Sequence, residues 1–164
     1  MASGVRRSTR AAVALATTFA LAIAASAQQP DGELDRALET AMRRAAPDFR
    51  LESQAPAARG RSDVYKRWTS DSTRVSVHYF VRPSSESAAQ LLQTRLVTLP
   101  ISTKKIDGFG DEAYLLAPSN PDGERRIWFR TGAVVVEVGA NGEDGARRFA
   151  AVVGDAVSQP RSRK

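Results

Sequence analysis

The feature that most constrains the fold is a run of alternating residues in the middle of the chain. Apolar side chains at Val75, Val77, Tyr79 and Val81 alternate there with Ser76, His78 and Phe80. A period of two is typical of a β-strand with one buried face, because successive side chains of a strand point to opposite faces. The run therefore predicts a strand in an antiparallel sheet whose apolar face is covered by other elements.

A second strand pair is predicted around the Thr131-Gly132 dipeptide. Residues 125 to 130 precede it and a run of valines follows it, which is typical of a β-hairpin. With a two-residue loop at this dipeptide, Arg130 faces Ala133 and Arg126 faces Glu137. The apolar face of the predicted hairpin carries Ile127, Phe129, Val134 and Val136, and the opposite face carries Arg126, Trp128 and Arg130.

The remaining segments predict helices and shorter strands. Helical spacing of apolar residues predicts a helix from Pro30-Asp31 to just before Pro47, a second with Ser84 as N-cap that stops at Pro100, and a third that ends near Val157. Further strands are predicted at residues 49–51, 64–69 and 112–116, and loops at residues 54–60 and 120–123. Since short turns join neighbouring strands, this order predicts an α+β fold. Its twisted antiparallel sheet has five to six strands with the helices packed on it.

The first 27 residues have the pattern of an export signal. Three arginines precede an uncharged stretch from Ala11 to Ala25, and Ala25-Ser26-Ala27 supplies a small-x-small cleavage site before Gln28. The stretch is shorter than the roughly 20 apolar residues that a membrane anchor needs. A mitochondrial transit peptide is the alternative, although such peptides are amphipathic and this segment is uniformly apolar. We therefore expect a signal peptide at 1–27, a single domain at 28–157, a disordered basic tail at 158–164 and no transmembrane anchor after cleavage.

Charge and cysteine content narrow the classes of function. Removing the three signal arginines from 24 basic residues leaves 21 against 18 acidic ones, so the net charge of the mature chain falls from +6 to +3. Three more basic residues lie in the tail, which leaves the folded body near neutrality. This balance does not favour nucleic-acid binding. A chain without cysteine in an oxidising compartment fits a bacterial periplasmic or secreted protein stabilised by packing alone.

Groups that could carry out catalysis or bind a metal are few. His78 is the only histidine and there is no cysteine, so zinc sites of the usual type are not expected. Asp107, Asp111 and Glu112 cluster around glycines, but their spacing does not match a calcium-binding EF-hand loop. No GxSxG motif supplies a nucleophilic serine. We expect no catalytic residue, no metal ligand and no cofactor.

The candidate binding surface is the polar face of the predicted hairpin. Arg126, Trp128 and Arg130 share that face, where an exposed indole between two guanidinium groups could stack on a ring and hold an anionic group. Arg67, Arg74 and His78 are possible extensions of this surface. The alternative is an ordinary solvated face on which the first helix covers Trp128.

A glycine-containing step before the hairpin carries a family resemblance. The run Gly108-Phe109-Gly110-Asp111-Glu112-Ala113-Tyr114, followed by residues 128–136 and a closing helix, resembles a pattern in bacterial secreted proteins. Uncharacterised actinobacterial lipoproteins and extracellular sensor-type domains have a similar Gly-x-Gly-Asp-Glu-Ala step. The resemblance spans about Ser84 to Val157 and implies a fold comparable to PsbP-like α/β/α sandwiches, with a binding or sensing role. Many such proteins attach through a lipid-bearing cysteine, which this chain lacks.

Together these features predict a small exported binding or sensor-like domain without catalytic activity, whose partner is an unknown small molecule or an envelope protein. One alternative is an envelope hydrolase that uses His78 or carboxylates brought together by folding. In that case His78 should have a carboxylate or hydroxyl partner inside a pocket. A second alternative is an assembly or inhibitory partner of another exported protein, which predicts a contiguous exposed apolar patch.

Overall fold

One seven-stranded antiparallel sheet organises the chain. The structure is a computed structural model that describes residues 32–55, 63–99, 101–118 and 123–159, so the predicted signal peptide and most of the basic tail lie outside the described residues. The helices are α1 (Gly32–Ala45), α2 (Ser85–Thr98) and α3 (Gly142–Ser158). The strands are β1 (Arg50–Ala55), β2 (Asp63–Thr69), β3 (Arg74–Val81), β4 (Thr103–Ile106), β5 (Glu112–Leu116), β6 (Glu124–Thr131) and β7 (Val134–Asn141).

The sheet consists of two antiparallel meanders, β1-β2-β3 and β4-β5-β6-β7, which are joined by the pairing of β3 with β7. The strand order is β1-β2-β3-β7-β6-β5-β4, so β7 returns from the second meander to pair with β3 of the first. Val77 lies opposite Val138 and Tyr79 opposite Val136. The alternating run that begins at Val75 is therefore central in the sheet, where its apolar face is buried most completely.

Helices α1 and α3 cover what we call the inner face of the sheet. Alternating residues of the central strands are buried against them, among them Val77, Val136 and Phe129. Helix α3 packs on β6 and β7 with an apolar stripe that includes Phe149 and Val153, as helical spacing predicts. This face holds the larger of the two apolar cores.

Helix α2 packs on the opposite face, which we call the outer face. It begins with a capping box in which Ser84 and Ser87 hydrogen-bond to each other's backbone amides, as the predicted N-cap requires. Its buried residues Ala88 and Leu92 form a second, smaller core with residues of the sheet. The sheet residues of this core are Phe80, Leu116, Trp128 and Val135. The sequence predicts one apolar sheet face under the helices, whereas helices in fact lie on both faces.

The α+β class and the antiparallel sheet are confirmed, and the strand number of five to six is one or two too low. The strand that sequence reasoning missed is β4, which pairs with β5 from Thr103 opposite Leu116 to Ile106 opposite Ala113. Three of its four residues are exposed, because β4 lies at the edge of the sheet, so no apolar alternation marks it. Its two lysines are typical of an edge strand protected against further pairing.

The hairpin between β6 and β7 has a different register from the predicted one. Thr131 pairs with Val134, so the turn is Gly132-Ala133 and Arg126 lies opposite Gly139 rather than Glu137. Gly132 has a φ of 54°, a conformation that favours glycine in a tight turn. Each β6 residue pairs two positions further along β7 than predicted, and a shift of two leaves the assignment of side chains to the two faces unchanged.

Candidate ligand-binding site

Helix α2 leaves half of the outer face uncovered, and this half forms a cavity of about 470 Å³. We call this cavity the outer cleft. Strands β2, β3, β7 and β6 form its floor, and each contributes the outward-facing residues of its alternating pattern. The lining residues are Tyr65, Arg67, Arg74, Ser76, His78, Glu124, Arg126, Glu137 and Asn141.

Arg126 is held between two carboxylates at the β6 side of the cleft. Its guanidinium lies 3.2 Å from Glu124 Oε2 and 3.2 Å from Glu137 Oε1. The predicted pairing of Arg126 with Glu137 is therefore present, although across a diagonal rather than between directly opposed residues. Two carboxylates surround this cation, so the β6 side of the cleft carries no free positive charge.

Gly139 allows a hydrogen bond to cross over β7. Ser76 on β3 donates to Glu124 Oε1 on β6 at 2.6 Å, above the intervening strand. A Cβ at Gly139 would lie 2.3 Å from Glu124 Oε1 and 2.6 Å from Ser76 Oγ, well inside van der Waals contact. The missing side chain of Gly139 therefore sets the shape of the cleft floor and the position of Glu124.

His78 lies at the end of the cleft that adjoins α2. Its Nε2 is 3.3 Å from Asp63 Oδ2, and its ring lies 4.2 Å from that of Phe80. Burial lowers the pKa of His78 from its ordinary value, while the interaction with Asp63 opposes this shift and the charge of Arg95 adds to it. The imidazole is thus less readily protonated than a solvated histidine.

Glu137 lies directly opposite His78 on the neighbouring strand. Burial raises the pKa of Glu137, and Glu124 raises it further, while Arg126 and Arg95 lower it. The Glu137 side chain is only 16% exposed, so desolvation of its charged form is the larger effect. The cleft therefore places a carboxyl group with a raised pKa opposite an imidazole with a lowered pKa. Both shifts favour the neutral form of the group.

The cations on the β2 side of the cleft form no ion pair with a described carboxylate, unlike Arg126. Arg67 donates from Nε and Nη2 to the Tyr65 hydroxyl at 3.0 and 2.8 Å. This hydrogen bond raises the pKa of Arg67, which is a permanent cation in any case. Arg74 is exposed and makes no ion pair with another described residue. Positive charge is thus concentrated where β2 meets β3.

Among the predicted binding residues, Trp128 does not have the expected exposed position. Its side chain is 4% exposed and packs with Leu92 and Val135 in the core beneath α2. Helix α2, rather than the first helix, covers it. An outward-facing strand residue is buried here because a helix lies on this part of the outer face as well, which the hairpin pattern alone does not reveal.

Arg130 has a structural partner outside the cleft. Asp111 Oδ2 accepts from Arg130 Nη1 and from the backbone amide of Gly132, each at 2.8 Å. Gly110 has a φ of 55°, and a Cβ there would lie 2.2 Å from the Arg130 carbonyl oxygen. We call these four residues the hairpin latch. It accounts physically for the Gly-Asp step of the sequence, because both residues fasten the loop before β5 to the hairpin turn.

Arg126 and the possible extensions Arg67, Arg74 and His78 do come together, and all four line the outer cleft. Although it paired Glu137 with Arg126, sequence reasoning did not name the other lining residues as part of a site: Tyr65, Ser76, Glu124, Glu137 and Asn141. Tyr65 and Ser76 could have been found, since each has the same alternation phase as a named residue of its strand. Glu124 and Asn141 enter the cleft because β3 pairs with β7, a long-range pairing without a local signal.

A second polar cluster lies on the inner face and was not predicted. Lys66 is fully buried, and its Nζ is 2.5 Å from Glu39 and 3.1 Å from Asp35 of α1. Tyr79 donates a hydrogen bond to Asp35. Two carboxylates thus compensate the buried ammonium, and the cluster ties α1 to β2 and β3.

The described residues hold neither a cluster of metal-ligating side chains nor a membrane-spanning helix. These residues contain no group of three or more histidine, cysteine, aspartate or glutamate side chains that could hold a metal ion. Each of the three described helices lacks the length or the continuous apolar surface that a bilayer span requires. Comparison of the chain with protein-family models, with curated proteins and with solved structures finds no match.

Proposed function

We propose that the mature protein is a small exported binding module and that the outer cleft holds its ligand. The observation that carries this proposal is the uncovered half of the outer face. A cavity of about 470 Å³ is within the size range of small-molecule sites, and three arginines, a histidine and two glutamates line it. Convergent polar groups fix the orientation of a bound ligand, and a lining as polar as this one suits a polar or charged ligand. The ligand contacts are therefore assigned to Arg67, Arg74, His78 and Arg126, in place of the buried Trp128 and the latched Arg130.

Export is the second part of this proposal, and it rests on the signal pattern of residues 1–27. Cleavage after Ala27 predicts that the protein isolated from the periplasm or medium begins at Gln28. The intact mass of that protein measures this directly. A protein that retains its first 27 residues and remains inside the cell would contradict export without affecting the argument for the cleft.

Native mass spectrometry of the protein recovered from its own compartment tests the binding role. We expect a retained small molecule, seen as an extra mass, on the wild type. Asn141→Trp should fill the mouth of the cleft and remove this mass, because Asn141 is an exposed lining residue that makes no side-chain cap to α3. Val97→Trp is the control, since Val97 is 84% exposed on α2 and does not line the cleft. Equal retention by both variants would remove the cleft from the proposal.

A hydrolase is the second candidate function, because His78 lies in a cavity and has a carboxylate partner. It lines the cleft, and Asp63 lies within 3.3 Å of its Nε2. An imidazole kept neutral by burial and backed by a carboxylate can act as a general base. Hydrolysis of envelope polymers by wild type, His78→Gln and the surface control Arg44→Gln would decide. Activity lost only in His78→Gln favours the enzyme, and no activity above background in the wild type removes it.

An assembly or inhibitory partner has less support. Among the described residues, the only large apolar side chains that are exposed are Leu51 and Val97, which lie on β1 and α2. They do not form the contiguous apolar patch that such a role predicts.

A further inference from the structure

The β2 side of the outer cleft presents hydrogen-bond donors that the protein itself does not use. The Tyr65 hydroxyl accepts two hydrogen bonds from Arg67, and its own proton makes no hydrogen bond to a described residue. Arg67 Nη1 and the whole guanidinium of Arg74 make no hydrogen bond within the same part of the structure. Three neighbouring side chains thus offer donors, and the two carboxylates that line the cleft, Glu124 and Glu137, lie on its other side.

The strand register places these donors close together. Arg67 lies opposite Ser76 and Thr69 lies opposite Arg74, so Arg67 and Arg74 are diagonal neighbours on the same face of the sheet. Diagonal positions are about 7 Å apart at the backbone, within reach of two long side chains. Tyr65 is two residues from Arg67 on the same strand and is joined to it by the hydrogen bonds given above. The two cations can therefore approach one group from two sides.

The charges on the other side of the cleft do not cancel this pair. Glu124 and Glu137 both contact Arg126, and Glu124 also accepts from Ser76. The charge of Glu52 acts on Arg67, but Glu52 and Asp71 line a neighbouring cavity of about 420 Å³ rather than the cleft itself. That cavity shares Arg74 and Asn141 with the outer cleft and leaves room for the remainder of a larger ligand.

We propose that Arg67, Arg74 and the Tyr65 hydroxyl form a subsite for an oxyanion, the phosphate or carboxylate group of a small molecule. This inference rests on the proposed function, because it names the chemical class of ligand that the outer cleft takes. Arginine is suited to this role, since its planar donors match the oxygens of phosphates and carboxylates. The tyrosine hydroxyl, polarised by two N–H donors, supplies a third hydrogen bond to the same group.

Amide chemical-shift titrations at constant ionic strength test the subsite. The probes are inorganic phosphate, glycerol 3-phosphate, acetate, the neutral sugar glucose and the cation ethylammonium. We expect the oxyanions to shift amides of β2 and β3 around the cleft, and glucose and ethylammonium to leave them unchanged. Comparison of inorganic phosphate with glycerol 3-phosphate separates a free anion from an organic ligand that also contacts the neighbouring cavity.

Three variants and a control locate the interaction. Arg67→Gln and Arg74→Gln should each weaken oxyanion binding about tenfold, as expected for one charged hydrogen-bonding group. Tyr65→Phe should weaken it by a smaller factor of about three. Arg44→Gln should leave it unchanged, because Arg44 is an exposed residue of α1 on the other side of the sheet.

The outcomes separate this inference from the proposed function. Oxyanion shifts that persist unchanged in both arginine variants would overturn the subsite. If only glucose or ethylammonium shifts the cleft, or if the retained molecule carries no phosphate or carboxylate, the subsite is wrong and the cleft remains a binding site. If no probe shifts the cleft and no molecule is retained, both proposals fail.

Discussion

Replacement of Gly139 by alanine is the most informative single change on the cleft floor. The new Cβ would lie 2.3 Å from Glu124 Oε1, so the carboxylate must move away from Ser76. Gly139 lies in an extended strand and has no positive φ, so alanine is compatible with its backbone. The substitution therefore removes the hydrogen bond that crosses β7, and loosening of the solvent-accessible Glu124–Arg126 pair adds little to the cost.

The expected magnitude follows from two opposing contributions. A hydrogen bond to a charged group contributes about 1.5 to 3 kcal/mol, and the lower value applies because the Glu124 side chain is 32% exposed. Replacing a glycine by alanine at a compatible position stabilises a protein by about 0.5 kcal/mol through the unfolded chain. We therefore expect Gly139→Ala to lower the free energy of unfolding by about 1 kcal/mol.

Urea denaturation of a double-mutant cycle with Ser76→Ala measures this contribution. In the wild-type background Ser76→Ala should cost about 1.5 kcal/mol, and in the Gly139→Ala background it should cost almost nothing, since the same hydrogen bond is already lost. The slope of the transition should be equal in all four proteins. A stabilising effect of Gly139→Ala, or an equal cost of Ser76→Ala in both backgrounds, would refute the assigned role of Gly139.

Three further predictions concern other parts of the sheet. Trp128→Ala should destabilise by about 3 to 5 kcal/mol in urea denaturation, because a buried aromatic is lost from the core under α2; a cost below about 1 kcal/mol would mean that the indole is not packed there. Lys66→Met leaves two carboxylates whose side chains are 24% and 35% exposed, so water can solvate them and the cost should be about 1 kcal/mol. Asp35→Asn with Glu39→Gln leaves the fully buried ammonium unpaired and should cost about 3 kcal/mol, and equal costs would contradict the cluster. Because burial lowers the pKa of His78, the folded state loses stability as the pH falls below about 6.5, until the pH has passed the folded-state pKa. His78→Gln should flatten this part of the curve of melting temperature against pH, and an unchanged curve would argue against the shift.

The order of elements could largely be predicted from local patterns. The alternation from Val75 to Val81 marks β3, and the capping residue Ser84 marks the start of α2, because both signals lie within a few neighbouring residues. Strand β4 lacks such a signal, since an edge strand with exposed lysines has no apolar face to repeat. The pairing of β3 with β7 also has no signal in the local sequence. It joins segments that are distant in the chain and depends on how their apolar faces pack in the folded protein.

The candidate site was also predictable only in part, because local patterns assign the face of a strand residue but not what covers that face. The face of each strand was predictable, so Arg126, Arg67, Arg74 and His78 were named, and all four line the outer cleft. Trp128 shares the phase of Arg126, yet it is buried because α2 ends its coverage of the sheet between the two residues. Where a helix stops on a sheet depends on loop lengths and on core packing, and a period of two does not encode either.

A crystal structure of the mature protein, purified from its own compartment without added ligand, would show directly whether the outer cleft holds a ligand. The proposed binding role requires a bound small molecule in the outer cleft, with an anionic group within hydrogen-bond distance of Arg67 and Arg74 and in contact with the Tyr65 hydroxyl. A molecule bound elsewhere, or a protein partner seated on another face while the cleft holds only water, would contradict it.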